Sequence, residues 1–165
     1  MKTTARLLLT ACLVLPLLAA CKKEEAPVAT VAAPVAAPTT NDDAAWRTYV
    51  SDVVTRNLEG IANQPYVYYL PAETGDAEAD EGAYSRLLEK ARTDVARGIV
   101  RGNMLAYASS DSSKMADIVV DAFASVEPET MKGVRVLFIG DAADQERVSA
   151  AVAPAGVDFV FVEAK

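Results

Sequence analysis

Apolar residues recur at three- and four-residue steps through Trp46, Tyr49, Val50, Val53, Val54, Leu58 and Ile61, the period of a helix with one buried face. Asn41, Asp42 and Asp43 offer N-cap oxygens ahead of it, and Gly60 and Pro65 bracket its exit. Tyr66-Val67-Tyr68-Tyr69-Leu70 then changes to an unbroken aromatic and β-branched run between Pro65 and Pro71, which predicts a strand. Residues 71–80 read as an acidic loop. The helical step returns at Tyr84, Leu87, Leu88, Ala91, Val95 and Ile99. Gly102-Asn103 turns into a second strand, Met104-Leu105-Ala106-Tyr107-Ala108, and a polar loop follows over 109–113. Met115, Ile118, Val119, Ala122 and Phe123 mark a third helix that stops near Pro128. Residues 134–139 form the clearest strand. Gly140-Asp141 opens a fourth helix carrying Val148 and Val152, ended by Pro154 and Gly156, and residues 157–162 close the chain as a strand.

The order is α-β-α-β-α-β-α-β. A helix-length crossover between successive strands joins them in parallel, and such crossovers are right-handed. The apolar runs of the strands suit a sheet covered on both faces. The expected fold is therefore α/β, a small three-layer sandwich with a four-stranded, mainly parallel sheet and four helices. An α+β domain with one antiparallel edge strand is the competing arrangement, and strand order is not readable. Tyr66 and Tyr68 should point to one face of the sheet and Tyr69 to the other.

Ahead of this domain, residues 22–42 run from Lys-Lys-Glu-Glu into an Ala/Pro/Val/Thr tract with prolines at 27, 34 and 38. The tract has no helical or strand period and reads as a disordered, partly polyproline linker. Extended at about 3.1 Å per residue, it would reach roughly 60 Å. The first twenty residues have Lys2 and Arg6, an apolar run from Leu7 to Leu18 and small residues before Cys21, the pattern of a secretory signal peptide. Leu18-Ala19-Ala20-Cys21 resembles the lipobox of bacterial lipoproteins at every position. That resemblance implies cleavage before Cys21, a diacylglyceryl thioether on its sulfur and an acyl chain such as palmitate on its new amine. Lys22, in place of an aspartate, implies the outer membrane on its periplasmic face. The expected organisation is 1–20 signal peptide, 21–42 lipidated cysteine and linker, and 43–165 a single domain.

Removing the leader also removes Cys12, so no intrachain disulfide is possible once Cys21 carries lipid. With Lys2 and Arg6 gone, 14 basic residues stand against 23 acidic ones, a formal charge of −9. That balance argues against nucleic acid and anionic lipid surfaces as partners of the domain.

In open parallel sheets, ligands bind outside the carboxyl ends of the strands. The loops at 71–80, 109–113 and 140–144 reach that edge. Ser109, Ser110, Asp111, Ser112 and Ser113 follow a strand and open a helix, where hydroxyls and free N–H groups can hold an anion or act as caps and turns. Gly140 and Asp141 form a second strand-to-helix turn, with Asp141 or a neighbour as the cap or a carboxylate at a strand end. These seven residues are the candidate ligand-binding set.

The stretch Leu105-Ala106-Tyr107-Ala108-Ser109-Ser110-Asp111-Ser112-Ser113-Lys114-Met115-Ala116 resembles the strand, phosphate loop and helix of flavodoxin-like proteins. The resemblance implies a flavin (FMN) phosphate against Ser109, Ser110, Ser112 and Ser113. Two features depart from that family: the loop contains no glycine, and Asp111 places a negative charge there.

The chain contains no histidine, which excludes a Ser-His-Asp triad, histidine-ligated zinc and a histidine proton relay within it. Glu73, Asp76, Glu78, Asp80 and Glu81 fail the EF-hand spacing, because the sixth position from Asp76 is Glu81 and the twelfth is Leu87. No metal site, no resident cofactor and no catalytic residue are expected. The expected role is a lipid-anchored envelope protein whose domain binds a protein partner or a small polar ligand. The alternative is a degenerate flavodoxin-like or other enzyme or cofactor domain using the strand-edge loops.

Overall fold

The computed structural model describes residues 33–165. The expected signal peptide and lipidated cysteine, with Cys12, Cys21 and the expected linker up to residue 32, lie outside the described residues.

Helix α1, Asp43–Arg56, begins where the Asp42 side chain accepts from the Ala45 N–H at 2.7 Å. It ends earlier than its periodicity predicts. Asn57 Nδ2 donates to the Val53 carbonyl at 2.8 Å and the chain leaves the helix there, so Leu58 and Ile61 pack on the same core from the following loop. Strand β1 is Tyr66–Leu70. Helix α2, Ala77–Ala96, takes up the end of the expected acidic loop, because the Asp76 carboxylate caps the N–H groups of Glu78 and Ala79. Strand β2 is Met104–Ser109, helix α3 Ser112–Phe123 and strand β3 Arg135–Gly140. Helix α4, Ala142–Val152, runs through a short 3-10 turn into β4, Asp158–Glu163.

The sheet is wholly parallel, in the order β1-β2-β3-β4. Each strand is laid beside the last in the same direction, so right-handed crossovers bring α2, α3 and α4 to one face. There Tyr68, Leu105, Tyr107, Val136 and Phe138 pack with Ala91, Val95, Met115, Ile118, Val148 and Val152. Among the described residues α1 is the one helix on the other face, packing Trp46, Tyr49, Val50, Val53 and Val54 against Met104, Ala106, Ala108, Leu137 and Ile139. Small side chains at 106 and 108 let this single helix approach the middle of the sheet. Tyr68 and Tyr69 point to opposite faces, as strand alternation predicts.

Residues 33–41, the end of the expected disordered linker, form no helix or strand but lie along α1. The Val35 N–H donates to Asp52 Oδ2 at 3.1 Å, Ala37 packs on the α1-side core, and Trp46 Nε1 donates to the Thr40 carbonyl at 2.9 Å. The apolar Trp46 edge and the Asp52 carboxylate give this tract a fixed seat that its own composition does not announce.

Candidate functional site at the carboxyl edge of the sheet

The loops after β1, β2 and β3 meet at the carboxyl edge of the sheet. An open depression of about 690 Å³ lies among them, lined by Asn41, Glu73, Ser110, Asp111, Ser113 and Asp141, among others. Ser112 is the tie. Its Oγ donates to Asp144 Oδ2 at 2.6 Å and accepts the Asp141 N–H at 2.8 Å, joining the start of α3 to the start of α4. Ser112 and Asp144 are both buried. Gly140 is the residue this contact requires: a Cβ there would stand 2.5 Å from Ser112 Oγ and 2.8 Å from the Phe138 ring.

The rest of the candidate set has equally specific internal partners. Ser109, buried, accepts the Asp111 N–H on its hydroxyl at 3.0 Å. The Asp111 carboxylate accepts the Lys114 N–H at 3.1 Å and caps α3. Ser113 takes the guanidinium of Arg147 on both its carbonyl, at 2.8 Å, and its hydroxyl, at 3.1 Å. Arg147 also reaches Asp144 at 2.8 Å and Asp117 at 2.5 Å. Hydrogen bonding to Asp117 is the main reason that the Arg147 pKa is raised. Ser110 lies half-buried on the wall of the depression. Asp141 occupies the N-cap position of α4, but its side chain makes no capping bond there.

The loop after β1 is organised in the same self-contained way. Asp80 accepts from the N–H and hydroxyl of Thr74, both at 2.9 Å, and from the Gly75 N–H at 3.0 Å. The Thr74 backbone hydrogen bond is the largest cause of its lowered pKa. Lys114 pairs with Glu73, and that hydrogen bond raises the lysine pKa. Among the described residues, no group of His, Cys, Asp and Glu side chains is placed to hold a metal ion.

A serine hydroxyl 2.6 Å from a carboxylate has the outline of an activated nucleophile. Here the oxygen is buried and already accepts the Asp141 N–H, so this pair acts as an interhelical tie. A flavin phosphate fits these residues poorly. Two of the hydroxyls the flavodoxin resemblance assigns to it, Ser109 and Ser112, are turned to internal partners, and Glu73, Asp111 and Asp141 line the same depression. The uniform direction of the crossovers also leaves no point where two of them diverge, the feature that opens a ligand crevice in doubly wound sheets.

Sequence reasoning located the loops but missed Asp144, Arg147 and Asp117. The Asp144–Arg147 spacing of three residues on a helix was legible. The link from Ser112 to Asp144 across 32 residues was not, because it depends on α3 and α4 being neighbours. Comparison of this chain with protein-family models, with curated proteins and with solved structures finds no match.

Proposed function

We propose that this chain is a lipid-anchored cell-envelope protein, attached through Cys21 to the periplasmic face of the outer membrane. Its α/β domain serves as a binding module for an envelope protein. The anchor rests on the charged, apolar and small-residue pattern ending in Leu18-Ala19-Ala20-Cys21. The preference for a protein over a small anionic ligand or a reaction rests on one observation. At the carboxyl edge, where a parallel sheet gathers ligand groups, Ser109, Ser112, Asp111 and Asp80 are occupied by contacts within the domain. Among the described residues no helix is long and apolar enough to cross a membrane.

The test has two parts. The Cys21→Ser variant, expressed in a bacterium with two membranes, should leave the membrane fraction. The soluble domain, residues 33–165, should form a complex of fixed stoichiometry with one envelope protein in size-exclusion chromatography. Turnover of a substrate by the purified domain, abolished by Ser112→Ala or Asp111→Asn without loss of folding, would overturn the binding-module reading.

A further inference from the structure

The two edges of the sheet differ in charge, and the chain enters the domain beside only one of them. Asp42, Asp76, Asp111 and Asp141 stand at the N-caps of the four helices, and Glu73 lies with Asp111 and Asp141 on the depression at the carboxyl edge. The opposite, amino edge is built from the loops that lead into the strands. The Ala62 N–H bonds the Gly102 carbonyl, the Gly102 N–H bonds the Gly133 carbonyl, and Arg135 Nη1 reaches the carbonyls of Asn57 and Glu59. One exposed segment of it carries Arg97, Val100 and Arg101. Val100 is 69 % exposed, more than any other large apolar side chain among the described residues. Acidic groups on or beside this edge are Glu59, Glu127, which lines a depression with Arg97, and Asp94, whose carboxylate feels the Arg97 charge, together with Glu129 and Asp158, which pair with Lys132 and Arg135. The amino edge is therefore close to neutral with a local cationic tip, and the carboxyl edge carries a concentration of acids. The formal charge of −9 hides this division.

Residues 35–40 run along α1 from Asp52, one turn before its end, to Trp46 in its first turn. Helix α1 ends at the amino edge, so the chain comes in from that side. Only residues 22–32 separate Cys21 from the docked tract, a reach of roughly 35 Å at about 3.1 Å per residue.

From these placements we infer that the anchored domain rests on the membrane by the amino edge of its sheet. Arg97, Val100 and Arg101 meet anionic lipid headgroups, and the acidic carboxyl edge faces away from the membrane. The inference rests on the lipid anchor proposed above. The tether joins the domain on its near-edge side, and when that edge reaches the headgroups their negative potential, which decays over a Debye length of about 8 Å, attracts the arginines there and disfavours approach by the acidic far edge. An exposed valine between two arginines suits the boundary between headgroups and acyl chains.

The test uses the mature lipidated protein in vesicles of phosphatidylethanolamine and phosphatidylglycerol. Lipidation consumes the Cys21 sulfur, so Val100→Cys and Asp141→Cys each introduce a unique thiol for an environment-sensitive fluorophore. The probe at 100 should brighten roughly twofold and shift to the blue on vesicle binding, while the probe at 141 stays unchanged. Adding Arg97→Glu and Arg101→Glu should abolish the response at 100 while the protein still floats with the vesicles. Equal responses at both positions, or a response only at 141, in protein that floats would overturn the orientation and leave the anchor standing. Protein that fails to float removes the anchor, and the orientation with it.

Discussion

Ser112 shows how one side chain holds the carboxyl edge together. Ser112→Ala removes a donor from the buried Asp144 carboxylate and an acceptor from the Asp141 N–H. Leaving such groups unpaired costs about 1–3 kcal/mol, which should appear as a lower denaturation midpoint in urea with an unchanged slope. The stacked pair Tyr68 and Tyr107, with ring centroids 4.7 Å apart, separates two roles of the same residue type. The Tyr68 hydroxyl donates to Asp94 at 2.9 Å, whereas the buried Tyr107 hydroxyl has no hydrogen-bond partner among the described residues. Tyr107→Phe should therefore be neutral or stabilising, and Tyr68→Phe destabilising, in the same unfolding assay. Burial is the largest cause raising both phenol pKa values above the ordinary 10.0. A group whose folded pKa is raised is fully stabilising only below its unfolded pKa, so stability should fall as pH rises above about 10. Asp94 has the opposite sign. Burial would raise its pKa, but hydrogen bonds from Lys90 and Tyr68 outweigh that and hold it below 3.8. Its contribution is present above that pH and lost as pH falls through the depressed value, so Asp94→Asn should flatten the acid limb of a thermal-stability profile below about pH 4.

At the level of elements, each helix opens on an aspartate, but the four are not equivalent. Asp42, Asp76 and Asp111 accept backbone N–H bonds, while Asp141 makes no side-chain cap. Replacing each of the first three by alanine should cost about 1 kcal/mol, and Asp141→Ala measurably less, in parallel denaturation curves. Helix and strand identities were legible because their periods are strong. Met115, Ile118, Val119, Ala122 and Phe123 line one helical face, and residues 136–139 are apolar on both faces of a buried strand. Boundaries were less legible where a side chain redirects the backbone. Asp76 pulls α2 into the expected loop, and Asn57 releases Leu58 from α1. Strand order depends on which edge each crossover joins, and no residue period encodes that choice. The loop cluster was legible as a location because strand ends are. Its internal satisfaction was not, since Ser112 meets Asp144 only after α3 and α4 have packed.

On the scale of the whole molecule, the Ala/Pro tract has two parts with different roles. Its last residues belong to the domain through Val35, Ala37 and Thr40. A chain starting at residue 42 keeps the α1 cap but loses those contacts, and should melt several degrees below one starting at residue 33 in differential scanning calorimetry. Under the attachment proposed above, this docking leaves only residues 22–32 as tether, and it brings the chain in at the amino edge of the sheet. The proposed role depends most on the lipid attachment at Cys21, and intact-mass spectrometry of the protein extracted from bacterial membranes tests it directly. The prediction is a chain that begins at Cys21, with a diacylglyceryl group on sulfur and an acyl group on the new amine. A retained leader, or an unmodified Cys21 thiol, would contradict it.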